Sequence, residues 1–232
     1  MRSIVRTLAL LGALGLPTLA SAQIPIAVEL PFRTKYYFAG VPFAAAEVQQ
    51  AHISTTWGAV TVHAFGVYDV DAGAVTEGDL YADWYRQLTP SLGFFVGGAW
   101  YNFDFGDAGG GWQDTPEVYA GIVFAGPLNP TVTVARDFDL GDGSHVLLSV
   151  SQSVPVGEDG VSLDFAGSLD YNAEYYTTET GLSYANVSAA LSVPVGGVTL
   201  SPTIIIQRRL DEAFATLVPH DEVFGVTVAF GL

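Results

Sequence analysis

The chain of 232 residues contains no cysteine, which excludes a disulfide framework and any metal site built on thiolates. Charged residues are scarce as well, at 14% of the chain, whereas soluble domains carry about 25%. Lys and Arg number 8 against 24 Asp and Glu, which gives a net charge of −16. This excess of acid argues against a nucleic-acid partner. The sequence contains no cofactor motif, so we expect no cofactor.

Long apolar runs are also missing, except for one at the N terminus that has the three parts of a secretory signal peptide. The positive start, the apolar core and the cleavage site are Arg2 and Arg6, Leu8 to Leu19, and Ala20-Ser21-Ala22. A membrane helix is the alternative, but the run is short for a span and contains Pro17. We therefore expect a signal peptide over residues 1–22 and a single domain over residues 23–232.

Although no further run of about 18 apolar residues follows, 50% of the chain is hydrophobic. Apolar surface must therefore face something other than water. Strands closed into a barrel are the remaining way to cross a membrane, because every backbone polar group must be paired within lipid.

The stretch from Ser144 to Tyr171 has the periodicity that such a barrel needs. In its second half, polar or small residues from Ser162 to Asp170 alternate with apolar residues from Val161 to Tyr171. A period of two is typical of a strand with one polar and one apolar face. The segment Pro155–Gly160 between the two halves predicts a tight reversal, so the stretch predicts a hairpin long enough to cross a bilayer.

The same alternation recurs along the chain and predicts an all-β, up-and-down antiparallel transmembrane barrel of about twelve strands. The predicted strands are 26–38, 47–57, 59–69, 79–88, 91–103, 116–125, 130–138, 144–154, 161–171, 182–193, 198–208 and 221–232. Short and long connections alternate between them, as expected for a barrel with short periplasmic turns and longer outer loops. An even number of strands places both termini on the short-turn side.

Aromatic residues near the predicted strand ends are expected to form girdles at the two membrane interfaces, with packing inside the lumen as the alternative. They are Tyr36, Phe38, Trp57, Trp84, Trp100, Tyr101, Phe103, Tyr119, Phe138 and Tyr171.

Several segments resemble the TorF-type porins, which are Gcw_chp-like outer-membrane β-barrel proteins. The segments are Arg33–Pro42, Asp79–Ala82, Thr115–Gly121, Arg136–Asp139 with Gly141–Gly143, and the hairpin from Ser144 to Tyr171. The similarity spans nearly the whole mature chain, but Ala39 stands where the family usually has Arg. The resemblance implies an outer-membrane barrel with a channel role, and it brings no catalytic residues and no known substrate.

The polar faces of the predicted strands supply candidate residues for the lumen and its constriction. They are Glu29, Arg33, Lys35, Gln50, His52, Asp83, Asp164, Asn186, Gln207 and Arg209. Basic Arg33, Lys35 and Arg209 facing acidic Asp83 and Asp164 would create a field across a constriction that orients a permeating solute. A polar plug that closes the barrel is the alternative, because buried charges must be paired.

Most carboxylates, Glu77, Asp79 and Glu117 among them, fall in or beside the long loops and predict an acidic rim that concentrates cations and holds divalent ions bridging to lipopolysaccharide. Simple solvation of exposed loops, or adaptation to a salty habitat, is the alternative. No metal site is expected, apart from a weak surface calcium candidate at Asp137, Asp139 and Asp142. The position where a calcium loop needs Glu is Leu148, so a tight loop turn is the alternative there.

We also weighed catalysis, because some barrels hydrolyse lipids with a Ser–His pair. His145 follows Ser144, but neighbouring strand residues point to opposite faces and cannot form a nucleophile–base contact. His52 and His63 lie on neighbouring predicted strands whose register the sequence does not give. We expect no enzyme activity, with a lipid-active barrel enzyme as a remaining alternative.

The sequence thus predicts a porin-like channel in a Gram-negative-type outer membrane, for passive diffusion of ions or small polar solutes. Its expected partners are outer-membrane lipids, lipopolysaccharide and those solutes. The main alternative is a structural or adhesive barrel with a plugged lumen and acidic, cation-binding loops. The permeant, gating and oligomeric state do not follow from the sequence.

Overall fold

The computed structural model describes residues 25–106, 109–157 and 159–232, so the predicted signal peptide lies outside the described residues. The described residues form 14 strands and one short 3-10 helix at Glu212–Phe214. The strands are β1 (Ile26–Arg33), β2 (Tyr36–Phe38), β3 (Val41–Ala44), β4 (Val48–Trp57), β5 (Val60–Asp69), β6 (Ala74–Thr89), β7 (Leu92–Asp104), β8 (Trp112–Phe124), β9 (Thr131–Asp137), β10 (Ser144–Pro155), β11 (Ser162–Ala173), β12 (Thr180–Val195), β13 (Val198–Arg209) and β14 (Asp221–Gly231).

Twelve of these strands form one closed antiparallel barrel, and β2 and β3 form a separate two-stranded sheet. Each barrel strand pairs with its neighbours in the chain, and β1 closes the ring by pairing with both β4 and β14. Closure leaves no unpaired edge, which is the condition for crossing lipid. The predicted twelve-stranded up-and-down barrel is therefore confirmed.

The connections differ in length at the two ends of the barrel. At the short-turn end, strands are joined by segments such as Gly58-Ala59 and Gly196-Gly197. At the long-loop end lie the segments that separate β1 from β4, β7 from β8, β11 from β12, and β13 from β14. Both described termini lie at the short-turn end, where Ile26 and Leu232 exchange backbone hydrogen bonds.

Strand alternation places apolar side chains on the outer surface all around the ring. Exposed outward residues come from most strands and include Ile53, Val62, Leu80, Val96, Val118, Val134, Leu148, Phe165, Val187 and Phe224. Such a continuous apolar surface matches a hydrocarbon environment rather than water. Among the described residues, no helix has the length and apolar character needed for a membrane span.

The first strand departs from its predicted span of 26–38. The barrel strand β1 ends at Arg33, and Tyr36–Phe38 form the hairpin β2–β3 with Val41–Ala44. Ala39 and Gly40 form its two-residue turn with φ of 46° and 82°. Positive φ at both positions is typical of a type I′ turn, whose twist matches that of the strands. A period-two pattern cannot distinguish a long strand from a strand followed by a hairpin, which explains the difference.

The expected girdle aromatics divide into two groups. The outward rings are exposed, as expected for an interface, and they are Trp57, Trp84, Trp100, Phe138 and Tyr171. The other five contact one another or line cavities inside the barrel, and they are Tyr36, Phe38, Tyr101, Phe103 and Tyr119. For this second group, packing inside the lumen is the correct interpretation.

Candidate transport lumen

The hairpin β2–β3 folds into the long-loop end of the barrel and packs against its inner wall. Phe38 makes edge contacts with Tyr101 and Phe103 of β7, at centroid distances of 5.1 and 5.3 Å. Phe43 lies 4.7 Å from Phe103. Ala44 joins buried side chains of β4 and β5 in a small core. These contacts between aromatic rings far apart in the chain hold the hairpin inside the barrel.

Polar contacts fix the other side of the hairpin to β13 and β14. The Gln207 amide donates to the carbonyl of Gly40 at 3.0 Å. The Lys35 ammonium lies 2.7 Å from Asp221, whose carboxylate also accepts from the Tyr37 hydroxyl. Burial, followed by the bond to Asp221, raises the pKa of Tyr37, which favours the protonated hydroxyl that donates to this carboxylate.

Two features require a glycine at position 40, namely its positive φ and the close contact with Tyr184. A Cβ built there would lie 2.4 Å from Cδ1 of Tyr184 on β12. The Tyr184 ring packs in turn against Phe214 and Val218 of the loop between β13 and β14. Hairpin and loop therefore cap the long-loop end together.

Beside the hairpin lies an acidic cavity of about 440 Å³. Three carboxylates line it, and they are buried, with exposures of 1% for Glu77, 4% for Asp79 and 5% for Glu117. Glu117 accepts hydrogen bonds from the hydroxyls of Tyr101 and Tyr175, at 3.0 and 2.6 Å. The sequence pattern placed these acids at a solvated rim, and their burial is a correction. Asp79 and Glu117 lay at the starts of predicted strands and Glu77 before one, whereas β6 begins at Ala74 and β8 at Trp112, so strand alternation points all three side chains into the barrel.

Below the acidic cavity a second cavity of about 530 Å³ opens toward the short-turn end. Tyr81, Phe95 and Tyr119 line both cavities, so we call these three residues the neck. The rings of Phe95 and Tyr119 each lie over a glycine of the neighbouring strand. A Cβ at Gly97 would be 2.4 Å from Tyr119, and one at Gly121 would be 2.3 Å from Phe95. The glycines therefore allow the rings to lie against the wall rather than across the lumen.

A chain of titratable side chains crosses the four strands β1, β4, β5 and β6, and its members on β5 and β6 line the second cavity. His52 Nε2 lies 3.0 Å from His63 Nδ1, and His63 Nε2 lies 2.9 Å from Asp83. Glu29 lies 3.7 Å from His52 at the other end of the chain. The Tyr81 hydroxyl contacts His52 Nε2 at 2.9 Å. The register that the sequence left open pairs Ser54 with His63, which makes His52 and His63 diagonal neighbours on the lumen face.

Five of the ten predicted lumen residues line one cavity of about 270 Å³ on the opposite side of the hairpin: Arg33, Lys35, Gln50, Asn186 and Gln207. Tyr36 lines both this basic cavity and the acidic one, so it separates them. A positive and a negative wall therefore face each other across the hairpin.

The remaining candidates are distributed differently. Glu29, His52 and Asp83 belong to the histidine chain. Arg209 lies at the mouth, 3.0 Å from Glu212. Asp164 accepts from Ser162 and Ser192 at 3.0 and 2.5 Å. Among the described residues, Asp83 and Asp164 lie within 4.0 Å of none of the three predicted cations, so a constriction built on these particular pairs stays a prediction.

The acids that face the basic wall were missed in the sequence, although one signal was present. Glu77, Asp79, Tyr81 and Asp83 occupy every second position of β6 and therefore share the lumen face. The predicted strand began at Asp79, so Glu77 fell in the loop before it, and both acids were grouped with the rim.

Asp137, the first residue of the calcium candidate, is engaged by its own loop. Its carboxylate accepts from the Thr115 hydroxyl at 2.8 Å and from the backbone N–H groups of Asp139, Gly141 and Asp142. Asp142 pairs with Arg136 at 2.7 Å. Within the described ranges, no group of three or more His, Cys, Asp or Glu side chains is arranged to hold a metal ion. The carboxylate of Asp137 thus organises a tight turn.

No protein family model matches the chain, and no curated protein matches it. One solved structure shares its fold over most of both chains, and others are similar at lower TM-scores. The COG4313 outer membrane channel from Pseudomonas putida F1 is 11% identical, with a TM-score of 0.52 over 94% of this chain and 100% of that one. Acinetobacter baumannii OccAB3 is 9% identical, with a TM-score of 0.41 over 91% and 66%. Salmonella typhi OmpF is 8% identical, with a TM-score of 0.41 over 89% and 97%. The similarity to the Pseudomonas channel supports the barrel fold.

Proposed function

We propose that the chain is a narrow, porin-like channel for passive diffusion of ions or small polar solutes. The observation that carries the proposal is the pair of lumen cavities that meet at the neck formed by Tyr81, Phe95 and Tyr119. Twelve-stranded barrels lie between small barrels filled by side chains and open channels of about 16 strands. A restricted passage is the expected consequence.

Charge inside the lumen supports a role in passage rather than simple closure. The acidic and basic cavities lie on either side of Tyr36. Opposed charges across a constriction orient a solute and select among ions. Since the acidic wall also continues to Asp83 in the second cavity, the channel should favour cations.

We place the channel in a Gram-negative-type outer membrane, with lipid around its apolar outer surface. The solved structure from Pseudomonas putida that resembles it is described as an outer membrane channel. Acidic loop residues such as Asp71 and Glu179 would lie where divalent cations bridge to lipopolysaccharide. The resemblance to TorF-type porins belongs to the same proposal, and Gly40 of the shared Arg33–Pro42 segment supports it because the hairpin turn needs a glycine there.

Planar bilayer recordings test the channel directly. Folded protein in detergent should give discrete current steps, small in amplitude and larger for cations than for anions. Protein unfolded by heat in the same detergent is the control and should give none. Silence from folded protein at several concentrations would contradict the proposal.

One observation favours a second candidate, a structural barrel with a plugged lumen. The hairpin β2–β3 contacts β5, β6, β7, β12, β13 and β14 through aromatic packing and hydrogen bonds. A silent intact protein that conducts once the hairpin is removed would support this candidate.

A lipid-active enzyme receives less support from the histidines. His63 and His145 each contact a carboxylate, at 2.9 and 2.8 Å. Both point into the barrel, away from lipid, and no serine or threonine hydroxyl of the described residues bonds to either ring. A nucleophile–base contact is the first requirement of such an enzyme.

A further inference from the structure

The acidic cavity brings three carboxyl groups together without a lysine or arginine among its described lining residues. The carboxyl groups are those of Glu77, Asp79 and Glu117. The ionisable nitrogens of the described lining belong to His145, which is already 2.8 Å from Asp170, a residue that does not line the cavity. Buried charges are normally paired or hydrogen-bonded, so this cavity lacks a positive partner.

One oxygen identifies where that partner is missing. The hydroxyl of Tyr36 donates to Glu77 Oε1 at 2.9 Å, but Glu77 Oε2 has no N–H or hydroxyl donor among the described residues, and its neighbour is the carboxyl group of Asp79. The side chain is 1% exposed, so bulk water does not solvate it. Leaving a buried acceptor without a donor is costly, and a ligand N–H group would remove that cost.

The rest of the lining selects the kind of cation. The acids of the cavity form no cluster that surrounds one metal ion, since no such group occurs among the described residues. Rings of Phe65, Tyr81, Phe95 and Tyr119 make up much of the wall. Aromatic faces attract organic ammonium groups and also pack against an apolar ligand body.

We propose that this cavity binds a small organic cation, such as a primary ammonium compound with an apolar body. The ammonium group donates to Glu77 Oε2 and to the neighbouring carboxylate of Asp79, while the apolar body lies against the neck rings. The cavity has a volume of about 440 Å³, which is in the range of small-molecule binding sites. The inference rests on the proposed channel, because the ligand reaches the cavity through the lumen.

Calorimetry on the folded full chain in detergent micelles tests the inference, with phenethylamine as the probe. Phenethyl alcohol, its neutral counterpart, has the same ring and chain. Phenethylamine should give a saturable heat, and the alcohol should bind at least about tenfold more weakly, because hydrogen bonds to charged groups are stronger than neutral ones. Titration into empty micelles corrects for partitioning into detergent.

A variant locates the site. Glu77→Gln should weaken phenethylamine binding by about tenfold or more, while Glu179→Gln, an exposed loop carboxylate, should leave it unchanged. If Glu77→Gln does not fold, the comparison of amine and alcohol in the unaltered chain still decides. Equal binding of both probes, or complete displacement of the amine by equimolar Na⁺ or Ca²⁺, would overturn the inference.

Absence of any amine heat would also overturn it, and would indicate that Glu77 and Asp79 share a proton instead. Because calorimetry does not require current, the two proposals fail separately. Conductance without amine binding contradicts the site alone, and amine binding without conductance contradicts the channel alone.

Discussion

The two halves of the lumen are built from the same alternation but are filled differently. At the long-loop end, the hairpin, a cluster of rings and buried carboxylates occupy the interior. At the short-turn end, β9 to β13 present small polar residues around a cavity of about 390 Å³, among them Thr131, Ser149, Ser168 and Ser188. The small side chains leave the short-turn half open, whereas the hairpin β2–β3 fills the long-loop half.

For the proposed channel, this difference indicates which half of the lumen would determine selectivity. A barrel wall of fixed strand number sets an upper limit on width, and what lies inside sets the passage. In this molecule the acidic and basic cavities border the hairpin, whereas the short-turn half contains the histidine chain and small polar residues. Changes near the hairpin should therefore alter conduction far more than changes at the other end.

Removing the hairpin should have the largest effect. Replacing Tyr36–Ala44 with a four-residue Gly-Ser linker is feasible because Arg33 and Val48 are already paired neighbours. We expect conductance to rise severalfold in planar bilayers, since the interior of the long-loop half would empty. Shortening the exposed loop Val70–Gly73, which lies outside the lumen, is the control. Unchanged conductance after hairpin removal would place the constriction elsewhere.

A single methyl group at Gly40 should have the next largest effect. Gly40→Ala meets both a positive φ of 82° and the ring of Tyr184. The matched control is Gly196→Ala, which has a φ of 65° but open space around it. Urea unfolding in detergent should show a loss of about 1–2 kcal/mol for the control from backbone strain alone. The Gly40 variant should lose about 1–3 kcal/mol more from overpacking.

The same Gly40 variant should conduct more than the unaltered channel, because a displaced hairpin leaves the lumen. Equal stability of the two alanine variants would show that the Tyr184 contact does not hold the hairpin.

A substitution at the neck, Gly97→Val, should narrow the lumen there. The new side chain would push the Tyr119 ring off the wall and into the lumen, at a cost of about 1–3 kcal/mol. Gly98→Val is the control, since that position points outward and its Cβ would meet only an ordinary contact at 3.4 Å. Single-channel conductance should fall for the first variant and not for the second. The reverse order would contradict the assignment of the neck.

Removing a positive charge from the lining of the basic cavity should have the smallest effect, a change in ion selectivity. Lys35→Gln removes one positive charge from the lumen, and Arg136→Gln removes one from an exposed ion pair outside it. Reversal potentials in a salt gradient should show higher cation selectivity for the Lys35 variant, by less than about fivefold, because a contacting unit charge contributes about 1 kcal/mol in water. Equal shifts for both variants would remove the basic wall from selectivity.

Much of the wall was predictable because its signal is local. Alternation from Val161 to Tyr171 assigns each residue to a face, and the register of β10 with β11 follows from the short turn between them. The basic half of the site was also found, since Arg33 and Lys35 continue the polar face of the first strand. Glu77 was assigned to a loop, and Glu117, the second residue of its predicted strand, was grouped with the acidic rim, because a period of two does not show which strand ends are covered by other parts of the chain.

The sequence by itself determined that the polypeptide closes into a barrel, because a period of two assigns every side chain to lipid or lumen without reference to distant residues. Only the tertiary structure decided that Tyr36–Ala44 turn inward and that Glu77 faces a cavity. Those outcomes depend on contacts such as Phe38 with Phe103 and Gly40 with Tyr184. Their partners are far apart in the chain, and the shape of the closed ring alone brings them together.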